Sequence, residues 1–96
     1  MNPRVLTIPL KGAYFDQIKA GTKPEEYRPC TPYWRKRLEG REYDRIVLTL
    51  GYPKASDAER RLVLPWRGYR VQMITHPHFG PDPVEVFAID VTGDPQ

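Results

Sequence analysis

The chain has 96 residues, the length of one domain, and we expect a single domain over residues 1–96. Its 15 Lys and Arg residues against 12 Asp and Glu give a formal charge of only +3, which argues against tight, sequence-independent binding to long nucleic acid. The lone cysteine, Cys30, excludes an internal disulfide and a cysteine-cluster metal site. Together with the lack of a signal-like or membrane-length apolar run, it predicts a soluble cytoplasmic protein without a membrane partner.

The first half of the chain predicts two strands and two helices. Residues 4–10 are mostly β-branched and aliphatic, which is typical of a strand. Residues 13–21 predict a short helix with an apolar underside, and residues 25–28 predict an edge strand between two prolines. Residues 31–40 predict a second, basic helix, with Thr31 as its N-cap.

The second half predicts three more strands. Residues 43–52 form the most apolar run and are expected to be a central strand. Residues 53–62 predict a loop with one helical turn, and residues 68–76 and 84–91 predict a hairpin because both alternate in polarity. Five short strands and two helices in this order indicate an α+β fold, a small and partly closed five-stranded β-barrel with two main flanking helices.

The segment AGTKPEEYR, residues 20–28, concentrates opposite charges on a short stretch. Alternate residues of a strand share a face, so Glu26 and Arg28 are expected to point to one side, and Lys23 to lean over them. Such a set can grip a nucleobase edge together with a phosphate or carboxylate, or transfer protons if burial shifts the pKa values. The alternative is an Arg–Glu pair that only joins the barrel wall.

Gly21, Lys23, Glu26 and Arg28 follow the pattern glycine, any residue, lysine, two residues, glutamate, any residue, arginine. This pattern after a short helix resembles the signature of the ASCH domain, the activating-signal-cointegrator homology domain. The element order is similar over most of the chain, and its later segments resemble a compact branch common in phages and prophages. The resemblance implies a PUA-like β-barrel with a cleft beside the first helix, where the motif's lysine, glutamate and arginine converge.

The resemblance also implies a class of ligand. Related PUA domains bind RNA, so the favoured function is binding of RNA or of a nucleotide derivative such as a modified nucleoside, without a cofactor. Some small ASCH members are amidohydrolases of N4-acetylcytidine and a few have been assigned ribonuclease activity, so a small hydrolase with Lys23 and Glu26 as catalytic pair is the alternative. Those amidohydrolases carry a threonine as proposed nucleophile where this chain has Glu26. A phage-encoded protein-interaction module acting through the basic helix is the third alternative.

Further residues are expected to contact a ligand at the rim of the cleft. They are Arg35, Lys36, Tyr52, Lys54, Trp66, Arg67, His76 and His78. Trp66 is the better candidate for stacking on a base, with a lid over the barrel mouth as the alternative, whereas Trp34 is expected in the core beside Leu38.

The two histidines alternate across Pro77. On an extended segment His76 and His78 would face one side and could share a metal ion, with Asp82 as third ligand. A two-histidine spacing is common, and we favour a turn-capping or ligand-contacting role without a metal.

Overall fold

The protein has two three-stranded sheets and two helices, as seen in a computed structural model that describes residues 3–95. The ends of the domain expected over residues 1–96 therefore lie outside the described residues. The strands are β1 (Val5–Leu10), β2 (Glu25–Pro29), β3 (Arg45–Leu50), β4 (Arg61–Pro65), β5 (Tyr69–Ile74) and β6 (Val84–Asp90). The helices are α1 (Gly12–Lys19) and α2 (Pro32–Leu38), and two 3₁₀ turns span Ala58–Arg60 and Pro77–Phe79.

The strands pair in the orders β1-β3-β4 and β2-β6-β5. β1 runs parallel to β3, and the other pairs are antiparallel. The edge position of β2, the central position of β3 and the β5–β6 hairpin confirm three of the sequence predictions. Between residues 3 and 95, no helix is both long and apolar enough to cross a membrane.

The prediction of five strands was wrong, because the described chain has six. The missed strand is β4, of which residues 61 and 62 were expected in a loop. It pairs with β3 from Arg61 opposite Thr49 to Pro65 opposite Arg45, and its Leu62 and Leu64 are buried. The paired arginines at its start and the proline at its end weaken the sequence signal of this strand, which is stabilised by pairing with β3 and by core packing. The α+β class is confirmed, and the two sheets are open.

One core is shared by both sheets and both helices. Its buried members are Leu6, Ile8, Leu10, Phe15, Ile18, Leu38, Ile46, Leu48, Leu62, Leu64, Phe87, Ile89 and Val91. Side chains of a strand alternate between its two faces, so every second residue of β1 is buried in this core. In α1, Phe15 and Ile18 are three positions apart, so they lie on one helical face and are both buried. Trp34 packs against this cluster from α2, as the sequence predicted.

The end of α1 and the start of α2 fix the backbone on either side of β2. After α1, Gly21 adopts a φ of 80°, a left-handed conformation that glycine tolerates best. The backbone amides of Thr22 and Lys23 then both donate to the carbonyl of Gln17, at 2.9 and 3.3 Å. This turn fixes the backbone of Lys23 just before β2. At α2, the hydroxyl of Thr31 accepts from the amide of Trp34 at 3.4 Å, which confirms the predicted N-cap.

Replacement of Gly93 by alanine is expected to destabilise the protein. A Cβ at Gly93 would overlap Cγ of Pro65 and lie 2.8 Å from its Cδ, and a proline ring cannot rotate away. Overpacking of this kind costs about 1–3 kcal/mol, which urea unfolding would measure as a lower free energy of unfolding. Gly12→Ala is the control, because its Cβ would make an ordinary 3.5 Å contact with Leu50. Equal stability of the two variants would contradict the close approach of Gly93 and Pro65.

Candidate functional site

A pocket of about 200 Å³ lies where the end of β1, helix α1, the edge strand β2 and the loop after β5 meet. It is lined by Pro9, Leu10, Lys11, Tyr14, Lys23, Glu26, Tyr27, Arg28, His76, His78 and Phe79. The lining includes the lysine, glutamate and arginine of the motif and both histidines of the chain. These five predicted site residues, up to 55 positions apart in sequence, are brought together here.

Strand β2 places Glu26 and Arg28 on one face, as alternation predicted. Glu26 lies opposite Ile89 of β6 and Arg28 lies opposite Phe87, and both β6 residues are fully buried core members. The face that carries the two charges is therefore the core face of the sheet. Because β2 is an edge strand, these charges lie at the border of the core, where a pocket can form.

Glu26 is the most deeply buried ionisable side chain of the pocket, with 3% of the residue exposed. Its Oε1 accepts from the Tyr27 amide at 3.1 Å and from Nη1 of Arg28 at 3.3 Å. Its Oε2 is buried and has no hydrogen-bond partner within residues 3–95. Burial raises the pKa of Glu26, although the charges of Arg28 and Lys23 act in the lowering direction. One carboxylate oxygen is thus left to accept a proton or an external donor.

Arg28 connects the two sheets. Its Nη2 donates to the Pro9 carbonyl of β1 at 3.2 Å, and its Nη1 donates to the Tyr27 carbonyl at 3.1 Å as well as to Glu26. Its guanidinium carbon also lies 5.4 Å from the ring centroid of Trp34 in α2. Both Nη groups are therefore engaged within the protein. Arg28 fits the interpretation of the Arg–Glu pair as a contact that joins the walls, while Oε2 of Glu26 has no partner in the described part of the chain.

Lys23 is held over the pocket by its own surroundings. Its Nζ donates to the Glu25 carbonyl at 2.7 Å and lies 4.7 Å from the ring centroid of Tyr27 and 5.4 Å from that of Tyr14. An ammonium group has three donor hydrogens, so this arrangement leaves two for a ligand. The side chain presents a fixed positive charge beside a buried carboxylate.

The histidines lie in a tight turn rather than on an extended segment. Nδ1 of His76 accepts from the backbone amide of His78 at 3.1 Å, which confirms the turn-capping interpretation for His76. The shared metal site considered with Asp82 is not formed, since the part of the chain seen in the structure holds no group of three or more His, Cys, Asp or Glu suited to a metal ion.

The turn that contains the histidines also supplies an aromatic wall. The ring centroids of His78 and Phe79 are 5.1 Å apart, those of His76 and Phe79 are 6.1 Å apart, and those of His76 and Tyr14 are 6.4 Å apart. These contacts join the loop after β5 to helix α1. The pocket therefore combines flat rings with charged groups.

Six of the predicted ligand contacts lie outside the pocket. They are Arg35, Lys36, Tyr52, Lys54, Trp66 and Arg67. Arg35 pairs with Glu39 at 3.3 Å and with Glu85 at 3.1 Å, so its charge is compensated on the surface. The ring centroid of Trp66 lies 5.2 Å from that of Tyr43 and its side chain packs against the core. Arg67 lies 3.5 Å from Asp90, and Tyr52 is 93% exposed.

Sequence reasoning missed several lining residues, of which Tyr14 and Phe79 are the most informative. Tyr14 precedes buried Phe15 in α1, a helix for which the sequence predicted only an apolar underside. Phe79 follows the two histidines directly, and the sequence HPHF is an aromatic run that could have indicated a ring-lined turn. Only the approach of this turn to α1 makes the two rings part of one site.

No family model, curated protein or solved structure matches this chain. The ASCH resemblance of the motif therefore stays a prediction from the sequence. The function has to be argued from the residues of the pocket.

Replacement of Glu26 by glutamine is expected to stabilise the protein at neutral pH. Because burial raises the folded-state pKa of Glu26 above its usual value, the contribution of Glu26 to stability is fully present below the unfolded-state pKa and is lost as the pH rises through the folded-state pKa. Glutamine carries no charge and keeps an acceptor for the Tyr27 amide. Thermal melts of wild type and Glu26→Gln should differ most near pH 7 and converge towards pH 4. A variant that is less stable than wild type at every pH would refute this account.

Replacement of Arg28 by methionine is expected to destabilise the protein strongly. The change removes the partner of a buried carboxylate and the link to Pro9, at a cost of about 3 kcal/mol. Adding Glu26→Gln should recover part of that loss, since no buried charge then remains unpaired. Urea unfolding of the two single variants and the double variant would measure the coupling. Strictly additive effects would show that the two side chains do not depend on each other.

Proposed function

We propose that the pocket binds RNA or a nucleotide-derived ligand through a single base. The observation that carries this proposal is a buried Glu26 with one oxygen that has no partner among residues 3–95, next to a Lys23 ammonium held in a ring-lined pocket. A nucleobase edge offers donors and acceptors side by side, and its faces stack on aromatic rings. Glu26 can accept from a donor of the base, Lys23 can donate to an acceptor of the base, and the aromatic rings can stack on its face.

The size of the pocket favours a small target. Pockets for drug-sized ligands usually measure about 300–1,000 Å³, whereas this one has about 200 Å³. That volume suits one planar ring system with its attached sugar outside. A base extruded from a single strand, or a free nucleoside, meets this requirement better than a duplex does.

The charges around the pocket favour an anionic neighbour of the base. Lys11 and Lys23 both line the pocket, and Lys11 lies exposed at the start of α1. Two ammonium groups beside a base site suit a sugar-phosphate chain leaving the pocket. The formal net charge is only +3, which favours contact with a few phosphates over binding along a long stretch of nucleic acid.

The sequence motif supports the same assignment. Lys23, Glu26 and Arg28 converge between β2 and α1, which is where the ASCH resemblance expects a ligand cleft. We accordingly propose a PUA-like arrangement in which the two open sheets form the barrel walls. Arg28 bridges those walls through the Pro9 carbonyl.

A hydrolase is the second candidate, and the free Oε2 of Glu26 is the observation that favours it. A carboxylate with a raised pKa can take a proton from water while the water oxygen attacks an amide carbonyl carbon. Lys23 would stabilise the resulting oxyanion. Glu26 would then return the proton to the leaving amine as the carbon–nitrogen bond breaks.

Replacement of Lys23 by alanine is expected to weaken binding of a short single-stranded RNA by about tenfold or more, because a charged hydrogen bond is lost. Calorimetric titration at two salt concentrations measures the loss. Lys19→Ala is the matched control, since Lys19 is an exposed lysine of α1 outside the pocket lining. Unchanged affinity of Lys23→Ala would contradict the assignment of this pocket.

Incubation with N4-acetylcytidine and with the same RNA separates binding from hydrolysis. Chromatography would follow cytidine release and RNA integrity. Product that disappears in Lys23→Ala and in Glu26→Gln would place the hydrolase first. Binding without product supports a recognition module, and neither binding nor product would reject both functions.

A further inference from the structure

We infer that Oε2 of Glu26 selects the ligand, and that it selects for an N–H donor on a planar heterocycle. This inference rests on the proposed function and names the feature by which the pocket would choose among ligands. The selected group is an exocyclic amine or a ring N–H. A ligand that places only an acceptor at this point would be rejected.

The orientation of the carboxylate is fixed by the protein. Oε1 of Glu26 receives two hydrogen bonds, from the Tyr27 amide at 3.1 Å and from Arg28 at 3.3 Å. The first comes from the backbone of β2, and the second from a guanidinium that is itself anchored to the Pro9 carbonyl at 3.2 Å. A carboxylate held at one oxygen on two sides cannot turn freely, so the position of Oε2 is set before a ligand arrives.

Neither Lys23 nor Arg28, the two charged neighbours on the motif, donates a hydrogen bond to Oε2 in the described chain. Nζ of Lys23 donates to the Glu25 carbonyl at 2.7 Å, and the Nη groups of Arg28 bind Oε1 and two backbone carbonyls. A buried acceptor without a donor is unfavourable, and an incoming N–H removes that cost. The ligand completes an interaction that the described chain leaves unmade.

The same geometry penalises the wrong ligand. A carbonyl oxygen or a ring nitrogen lone pair opposite Oε2 would place two acceptors against each other in a buried site. Sites built to pair a substrate N–H or O–H discriminate strongly against analogues that lack it, because the buried polar group then stays unpaired. Lys23, with two unused donor hydrogens, is suited to an acceptor on the adjoining part of the heterocycle.

Paired nucleosides test the inference directly. Calorimetric titration would compare cytidine with N4,N4-dimethylcytidine, adenosine with N6,N6-dimethyladenosine and uridine with 3-methyluridine. Each second member lacks the N–H donor of the first. For the nucleoside that wild type binds best, loss of the donor is expected to weaken binding by about tenfold or more. 5-Methylcytidine controls for bulk, since it adds a methyl group and keeps the amine.

Glu26→Gln adds a second readout. The glutamine oxygen is needed at the position of Oε1, where it accepts from the Tyr27 amide and from Arg28, so its NH₂ group takes the position of Oε2 and cannot accept an N–H. The variant is therefore expected to bind both members of the best pair with similar affinity. Because the paired comparison is made in wild type, it does not depend on the folding of this variant.

The outcomes separate the inference from the function on which it rests. Equal wild-type affinity for the two members of the best pair would overturn selection by Oε2 and leave the pocket a base-binding site. Absence of binding for every nucleoside and for the short single-stranded RNA would overturn both. Discrimination that persists unchanged in Glu26→Gln would assign the selection to another atom and overturn the role of Glu26.

Discussion

The ion pair between buried Glu26 and partly buried Arg28 is the constraint on which the rest of the site depends. Both residues lie on the core face of β2, where their β6 neighbours are fully buried. A carboxylate in that position is tolerated because an arginine lies beside it, and a buried charge without a partner would be far more costly. The arginine in turn reaches the Pro9 carbonyl, so the same contact ties the edge of one sheet to the end of the other.

The position of this pair at a sheet edge turns a structural contact into a candidate site. Had β2 been a central strand, neighbours on both sides would have enclosed the two charges. As an edge strand, β2 leaves room for helix α1 and for the loop after β5 to form the remaining walls. The turn after α1 holds Lys23 within that space through the two backbone bonds to Gln17. Glu26, whose Oε2 has no hydrogen-bond partner among residues 3–95, thus lines a pocket whose other groups can receive a ligand, at the expense of local stability.

Local rules accounted for a large part of the fold and for the centre of the site. Because side chains alternate between the two faces of a strand, the sequence predicted that Glu26 and Arg28 share one face. It also predicted that Thr31 caps α2 and that Pro32 lies in the first turn of this helix. These predictions succeed because they depend on neighbours within a few residues. The pattern of glycine, lysine, glutamate and arginine also singled out the segment before its surroundings were known.

Long-range packing decided the rest. Strand β4 exists because β3 offers it a partner, and its arginine-rich start carries little strand signal of its own. Tyr14 and Phe79 become pocket walls because a turn 65 residues further along the chain folds against α1, whereas Arg35 leaves the site to pair with Glu85, 50 residues away. The sequence by itself determined which residues alternate, cap and carry charge, since those properties are local. Only the tertiary structure decided which of them meet, because burial and partner choice depend on residues far away in the chain.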